Sequence, residues 1–216
     1  MDPRAELVEC VRGLLAAGLV RGTAGNASIR AGEQILLTPS ALPYPAMRAE
    51  DIAVLEPGSG RQLAGAPPTT ELGLHLAIYA SRPDVAAIVH THSTFATTFA
   101  VLGETIPAVH YQLARAGGPP AVADYARYGS PELAENCRRA LGAGSAVLLA
   151  NHGVVAVGTD LASAVAVAEA LEFTAELAWR ARLAGRPRIL TEAELVEAER
   201  AFGQYRPPTA GRAEAE

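Results

Sequence analysis

Two histidines one residue apart, His90 and His92, close a short apolar run, Val85-Ala86-Ala87-Ile88-Val89. Such a run reads as a buried strand, in which successive side chains alternate faces, so both rings project to one side and Thr91 to the other. Two imidazoles a few ångströms apart are half of a zinc or other transition-metal site, or else a partly buried, hydrogen-bonded pair. A second apolar run, Ala146-Val147-Leu148-Leu149-Ala150, delivers a third ring in Asn151-His152-Gly153. Three neutral imidazoles with a fourth position open or filled by a carboxylate make the usual catalytic zinc centre, and Glu71 is the acid best placed to complete it. Taken alone, in the first turn of a helix, Glu71 reads more readily as a charge set against the helix dipole. His75, one turn further on, reads as a packed or hydrogen-bonded structural histidine.

Composition narrows the chemistry. All 18 basic residues are arginine and none is lysine. Without lysine there is no Schiff-base nucleophile, no covalently held pyridoxal phosphate and no phosphate loop of the Walker kind. A carbon–carbon bond next to a carbonyl would therefore have to be broken with a metal. The net charge of −5, with no basic run, argues against nucleic acid or an anionic membrane as partner. Cys10 and Cys137 stand far apart and read as buried free thiols in a reducing compartment. No apolar run approaches the ~18 residues of a membrane span, and the expected location is the cytoplasm.

The elements that must position these groups can be read in order. Asp2 and Pro3 open a helix over 5–19, with Gly18 near its end. The following Arg21-Gly22-Thr23-Ala24-Gly25-Asn26-Ala27-Ser28 is either an anion-binding nest or a plain helix-to-strand turn. A hairpin over 29–38, a proline-rich ordered loop over 38–45 and a short strand near 52–55 come next. Thr69 is the expected N-cap of a helix opened by 67–71 and running to about 80. Beyond the His-x-His strand come a helix over 93–102 and strands over 106–111 and 121–125. A helix over 130–140 capped by Ser130, a helix over 160–183 capped by Asp160 and a last helix over 191–205 complete the pattern. The chain is expected to form one domain over 1–205, with a fraying tail over 206–216.

Taken together, five segments carry a family resemblance. They are Gly22-Thr23-Ala24-Gly25-Asn26-Ala27-Ser28, Leu37-Thr38-Pro39-Ser40, Pro68-Thr69-Thr70-Glu71, His90-Thr91-His92 and Asn151-His152-Gly153. In this order they resemble the signature of the class II aldolase/adducin family. Ile106-Pro107-Ala108-Val109-His110-Tyr111 and Tyr128-Gly129-Ser130 are similar to the branch that cleaves L-fuculose 1-phosphate.

The resemblance implies an α/β fold of three layers, a central and mostly antiparallel sheet flanked by helices. It also implies that His90, His92 and His152 hold one zinc, or another divalent transition metal, per subunit. Glu71 would be a fourth ligand that moves off to act as acid and base. Thr23, Gly25, Asn26, Ser40, Ala41, Thr69 and Thr70 would surround a substrate phosphate. Tyr111 would be a catalytic tyrosine reaching the site of a neighbouring subunit in a homotetramer, and Tyr128, Phe202 and Tyr205 would line or cover the substrate. The implied reaction is reversible cleavage of a ketose 1-phosphate, L-fuculose 1-phosphate being expected, into dihydroxyacetone phosphate and L-lactaldehyde through a metal-stabilised enediolate. Ribulose-5-phosphate 4-epimerase-like or sugar-phosphate dehydratase chemistry is the alternative within the family. A non-enzymatic scaffold like the adducin head is disfavoured by the complete set of His and Glu residues. Four positions depart from the pattern: Thr69 and Thr70 replace two serines, Ala41 a glycine and Tyr128 a phenylalanine.

Overall fold

The computed structural model describes residues 2–204; Tyr205 and the tail expected over 206–216 lie outside them. Helix α1 (Pro3–Ala16) begins where the Asp2 carboxylate accepts the Arg4 N–H and Pro3 takes the first helical position. Strands β1 (Asn26–Ala31) and β2 (Gln34–Leu37) form a hairpin, continued outward by β3 (Ala53–Leu55) and β4 (Gln62–Ala64). Helix α2 (Leu72–Ser81) leads to β5 (Ala87–Thr91), and α3 (Thr94–Leu102) follows. Then come β6 (Ala121–Ala123), α4 (Pro131–Leu141), β7 (Ala146–Leu149) and β8 (Gly153–Gly158). Helices α5 (Leu161–Ala184) and α6 (Glu192–Gln204) close the described chain. Asp160 caps α5 through the Ser163 N–H and Ser130 caps α4 through the Leu133 N–H, as their sequences predict.

The eight strands make one sheet in the order β4-β3-β2-β1-β5-β8-β7-β6. Only β6 and β7 pair in parallel; every other neighbour is antiparallel. Strand β5 lies in the middle and is buried along its whole length. Ala87 and Val89 face the side covered by α1, α3 and α5, whereas Ile88 faces α2 and α4. A strand covered on both faces must be apolar at every position, which is why this run shows no polar alternation. By the same alternation His90 follows Ile88 onto the α2 side, and so do Asn26 and Ser28 of β1 while Ala27 and Ile29 turn to the other core.

Three expectations need correction. The segment 106–111 is not a strand. Its alternation survives, with Ile106 and Ala108 buried, but Pro107 lacks an N–H and the chain enters a 3₁₀ turn at Tyr111. The Ala108 carbonyl instead accepts the Leu190 N–H. Strand β4 was not expected because its three residues, Gln62-Leu63-Ala64, are all exposed and too few to show a strand period. Helix α2 starts at Leu72, with Glu71 and not Thr69 in the capping position. Both cysteines are free, Cys137 buried and Cys10 only half-buried. Among the described residues, no helix is long and apolar enough to cross a membrane.

Candidate metal centre

The register of the sheet assembles the site. Asn26 of β1 lies opposite His90 of β5, which in turn lies opposite Val155 of β8. His92 follows immediately after β5, and His152 sits in the turn between β7 and β8. The three rings pack edge to face, with centroids 4.8, 4.9 and 5.0 Å apart. One nitrogen from each lies within 4.8 Å of the others. His90 Nδ1 donates to the Val154 carbonyl at 2.9 Å, which in the neutral ring leaves the Nε2 lone pair facing its neighbours. His90 Nε2 and His92 Nε2 are 3.0 Å apart. Asn151 takes a left-handed φ of 54°, which asparagine tolerates, to aim His152 inward. Gly153 is required by crowding: a Cβ there would stand 2.4 Å from the Thr91 carbonyl and 2.9 Å from the His92 ring.

Glu71 closes the fourth side. Its side chain makes no capping hydrogen bond to α2 and turns instead to the imidazoles. Oε2 lies 3.2 Å from His90 Nε2 and accepts from Asn26 Nδ2 at 2.9 Å. Oε1 lies 3.4 Å from His152 Nε2, yet it is buried without any hydrogen-bond partner. A buried carboxylate oxygen left bare beside three imidazoles is the signature of a donor set built for a cation, and these residues fit a divalent metal ion. Burial by itself raises the Glu71 pKa, but His90, His152 and the Asn26 donor outweigh it and hold the group below the usual carboxylate range. Burial likewise disfavours charge on His90, but the Glu71 carboxylate reverses this and raises it. Burial and the His90 charge push His92 and His152 down to about 4, so both stay neutral and can offer lone pairs at neutral pH.

A cavity of about 440 Å³ opens onto this cluster. It is lined by Thr23, Gly25, Asn26, Ser40, Ala41, Thr69, Thr70, Glu71, His92, Tyr128 and His152, so all seven residues singled out for an anion meet there. Loops 38–40 and 67–69 are tied together by the Ser40 N–H on the Pro67 carbonyl and the Thr69 N–H on the Thr38 carbonyl. Thr69 Oγ1 accepts from Asn26 Nδ2 and from the Glu71 N–H, both at 3.3 Å, which leaves its own hydrogen to be donated into the cavity. Ala41 holds a left-handed φ of 56°, where glycine would be unstrained. Tyr128 stands exposed on the rim.

Not every expected residue arrives. Tyr111 is half exposed and stacks on Phe202 at 5.8 Å, in an aromatic group with His110 and Phe173. Neither Tyr111 nor Phe202 lines the cavity of its own chain. His75 is structural as read, fully buried and hydrogen-bonded through both ring nitrogens. What sequence reasoning missed is its link to Asn26 and, through Asn26, to Glu71. The spacing of Glu71 and His75 by one helical turn was the available signal, but nothing in it indicated that a neighbouring strand supplies the connection.

Residues 5–179 match the family described as the Class II Aldolase and Adducin N-terminal domain. Over 203 residues the chain is 39% identical to the 5-methylthioribulose-1-phosphate/5-deoxyribulose-1-phosphate aldolase of Rhodospirillum rubrum, covering 94% of this chain and 91% of that protein. It is 39% identical over 161 residues to the L-fuculose phosphate aldolase of Escherichia coli, covering 74% of each. Among solved structures, an L-fuculose 1-phosphate aldolase superposes with a TM-score of 0.90 at 36% identity, covering 94% of this chain and 96% of that one.

Proposed function

The chain belongs to the class II aldolase and adducin family, and we propose that it is a metal-dependent lyase cleaving a deoxyketose 1-phosphate into dihydroxyacetone phosphate and a short aldehyde. The observation that carries this reading is the bare Oε1 of Glu71 beside the three converging imidazoles, at the floor of a hydroxyl-lined cavity. His90, His92 and His152 would hold the cation, with Glu71 beside it; zinc suits a donor set this rich in nitrogen. When bound, such an ion supplies Lewis-acid stabilisation of the negative charge that develops next to the ketone as the carbon–carbon bond breaks.

The chain's own residues do the rest. Thr23, Ser40, Thr69, Thr70 and the backbone around Gly25 and Ala41 would grip the phosphate and so orient the ketone, a positioning effect that can contribute several kcal/mol. In the synthetic direction Glu71, buried and ionised, would take a proton from the carbon of dihydroxyacetone phosphate that forms the new bond; in cleavage it would first gain the hydroxyl proton released as the aldehyde forms and pass it to that carbon. Tyr128 on the rim would meet the aldehyde half. Because Tyr111 and Phe202 lie away from the cavity of their own chain, a role for either at a site calls for an adjacent subunit, as in a homotetramer.

The named substrates of the relatives, 5-deoxyribulose 1-phosphate, 5-methylthioribulose 1-phosphate and L-fuculose phosphate, share an end without a hydroxyl or charge. That supports an aldehyde with an apolar terminus and leaves L-fuculose 1-phosphate as one of three candidates. The test is to incubate the zinc-loaded protein with these ketose 1-phosphates and with ribulose 5-phosphate and to identify the products. Dihydroxyacetone phosphate from at least one 1-phosphate, abolished by Glu71→Gln, is expected. Epimerised pentose phosphate with no three-carbon product would overturn the lyase assignment in favour of an epimerase.

A further inference from the structure

His75 has no exposed surface, and both of its ring nitrogens are hydrogen-bonded. Nδ1 lies 2.7 Å from Ser28 Oγ, and Nε2 lies 2.5 Å from Asn26 Oδ1. Ser28 Oγ is in turn 2.9 Å from the hydroxyl of Tyr79, one turn along α2 from His75. At the other end, Asn26 Nδ2 reaches Glu71 Oε2 at 2.9 Å. Five side chains from two elements and the loop before α2 thus form one unbroken line under the site.

The protons along this line can run in one direction only. An amide oxygen turned toward Glu71 would face an anion, so Asn26 presents Nδ2 there and Oδ1 to His75. His75 must then carry its hydrogen on Nε2. Burial pushes the His75 pKa down to about 3, with the His90 charge acting in the same direction, so the ring is neutral and Nδ1 is an acceptor. Ser28 therefore donates to His75, and Tyr79 donates to Ser28. The opposite sense would leave the buried Tyr79 hydroxyl needing an acceptor other than Ser28, and no such bond is present.

We infer that His75 is a positioning residue: by donating from Nε2 to Asn26 Oδ1 it locks the Asn26 amide, which then holds the Glu71 carboxylate in the orientation from which it exchanges a proton with substrate. Asn26 accordingly serves the site through Glu71 and Thr69, which engage both of its amide hydrogens. This inference rests on the reading of Glu71 as the acid and base.

Two measurements test it. In the wild-type protein, nitrogen-15 NMR of the imidazole side chains should find His75 as the Nε2–H tautomer at neutral pH; the Nδ1–H tautomer would overturn the inference whatever the activity. The second is hydrogen–deuterium exchange at carbon of dihydroxyacetone phosphate, catalysed by the zinc-loaded protein. His75→Phe keeps the ring shape without its nitrogens and should lower the exchange kcat by about 10²-fold, the scale of a catalytic group misplaced by an ångström. KM and zinc content should stay within threefold, and His75→Gln, which retains a side-chain donor, should recover at least tenfold of the loss. A wild-type kcat in His75→Phe, or a loss of activity matched by equal loss of zinc, would overturn it. Should His75→Phe not fold, the tautomer and the kcat of His75→Gln decide. Full exchange in Glu71→Gln would instead remove the reading of Glu71 itself, whereas an inactive Glu71→Gln beside a fully active His75→Phe would remove only the role of His75.

Discussion

At the scale of single residues, chemistry here depends on what each group is denied. Glu71 has one oxygen with no hydrogen bond, and His75 is denied water altogether. The consequence for His75 is a pH dependence of stability. Its pKa is about 3 in the folded protein and about 6.5 when exposed. Between those values the unfolded chain binds a proton that the folded chain refuses, so the His75 contribution is complete above about pH 6.5 and is lost as pH falls through that window, by at most about 1.4 kcal/mol per pH unit. Urea titrations at pH 7 and pH 4.5 should show a smaller loss of stability in His75→Gln than in wild type; equal losses would mean that another group dominates the acid limb. Ala41 presents the converse case, a side chain held at a φ of 56° beside the anion cavity. Left-handed backbone costs a non-glycine residue roughly 1–2 kcal/mol, and glycine returns roughly 0.4–1 kcal/mol of that as entropy of the unfolded chain. Ala41→Gly should raise the urea midpoint by the equivalent of about 0.5–1 kcal/mol with an unchanged slope.

At the scale of elements, the hairpin of β7 and β8 sets how closely the rings can approach. Its turn brings His152 against strand β5, and Gly153 clears the Thr91 carbonyl and the His92 ring only because it has no side chain. Gly153→Ala should push β8 and the rings apart, costing about 1–3 kcal/mol of stability as overpacking does. Zinc per chain, measured by atomic emission, should fall with it; full zinc occupancy in this variant would show that the hairpin yields without disturbing the rings. Most of these elements were legible because helix caps and buried apolar strands are written in local residue order: Asp2, Ser130 and Asp160 all cap the helices that they were expected to cap. The misreadings at 106–111 and at β4 arise where local pattern and ladder separate. An alternating segment interrupted by Pro107 joins no ladder, and an exposed edge strand needs no apolar run.

At the scale of the whole molecule, the sheet order joins residues from β1, β5, the turn after β7 and the loop before α2 into one site. A cation bridging these elements binds only the folded chain, and stability should rise with its concentration, by about 2.7 kcal/mol at a hundred times its Kd. Thermal melts with added zinc and with a chelator should therefore separate, and His92→Ala should collapse the difference. Identical melts in wild type would argue that no ion ties these elements together.

Residue order alone determined the donor types, the absence of lysine, the strands that carry the histidines and the hydroxyl-rich loops, because composition and periodicity are local properties. Tertiary structure decided that Glu71 turns to the imidazoles instead of capping α2, that Asn26 is held between His75 and Glu71, and that Tyr111 and Phe202 stand away from their own chain's cavity. Those outcomes depend on which strands become neighbours and in what register. Such pairing is settled by the burial of two cores on opposite faces of one sheet, which no single segment encodes.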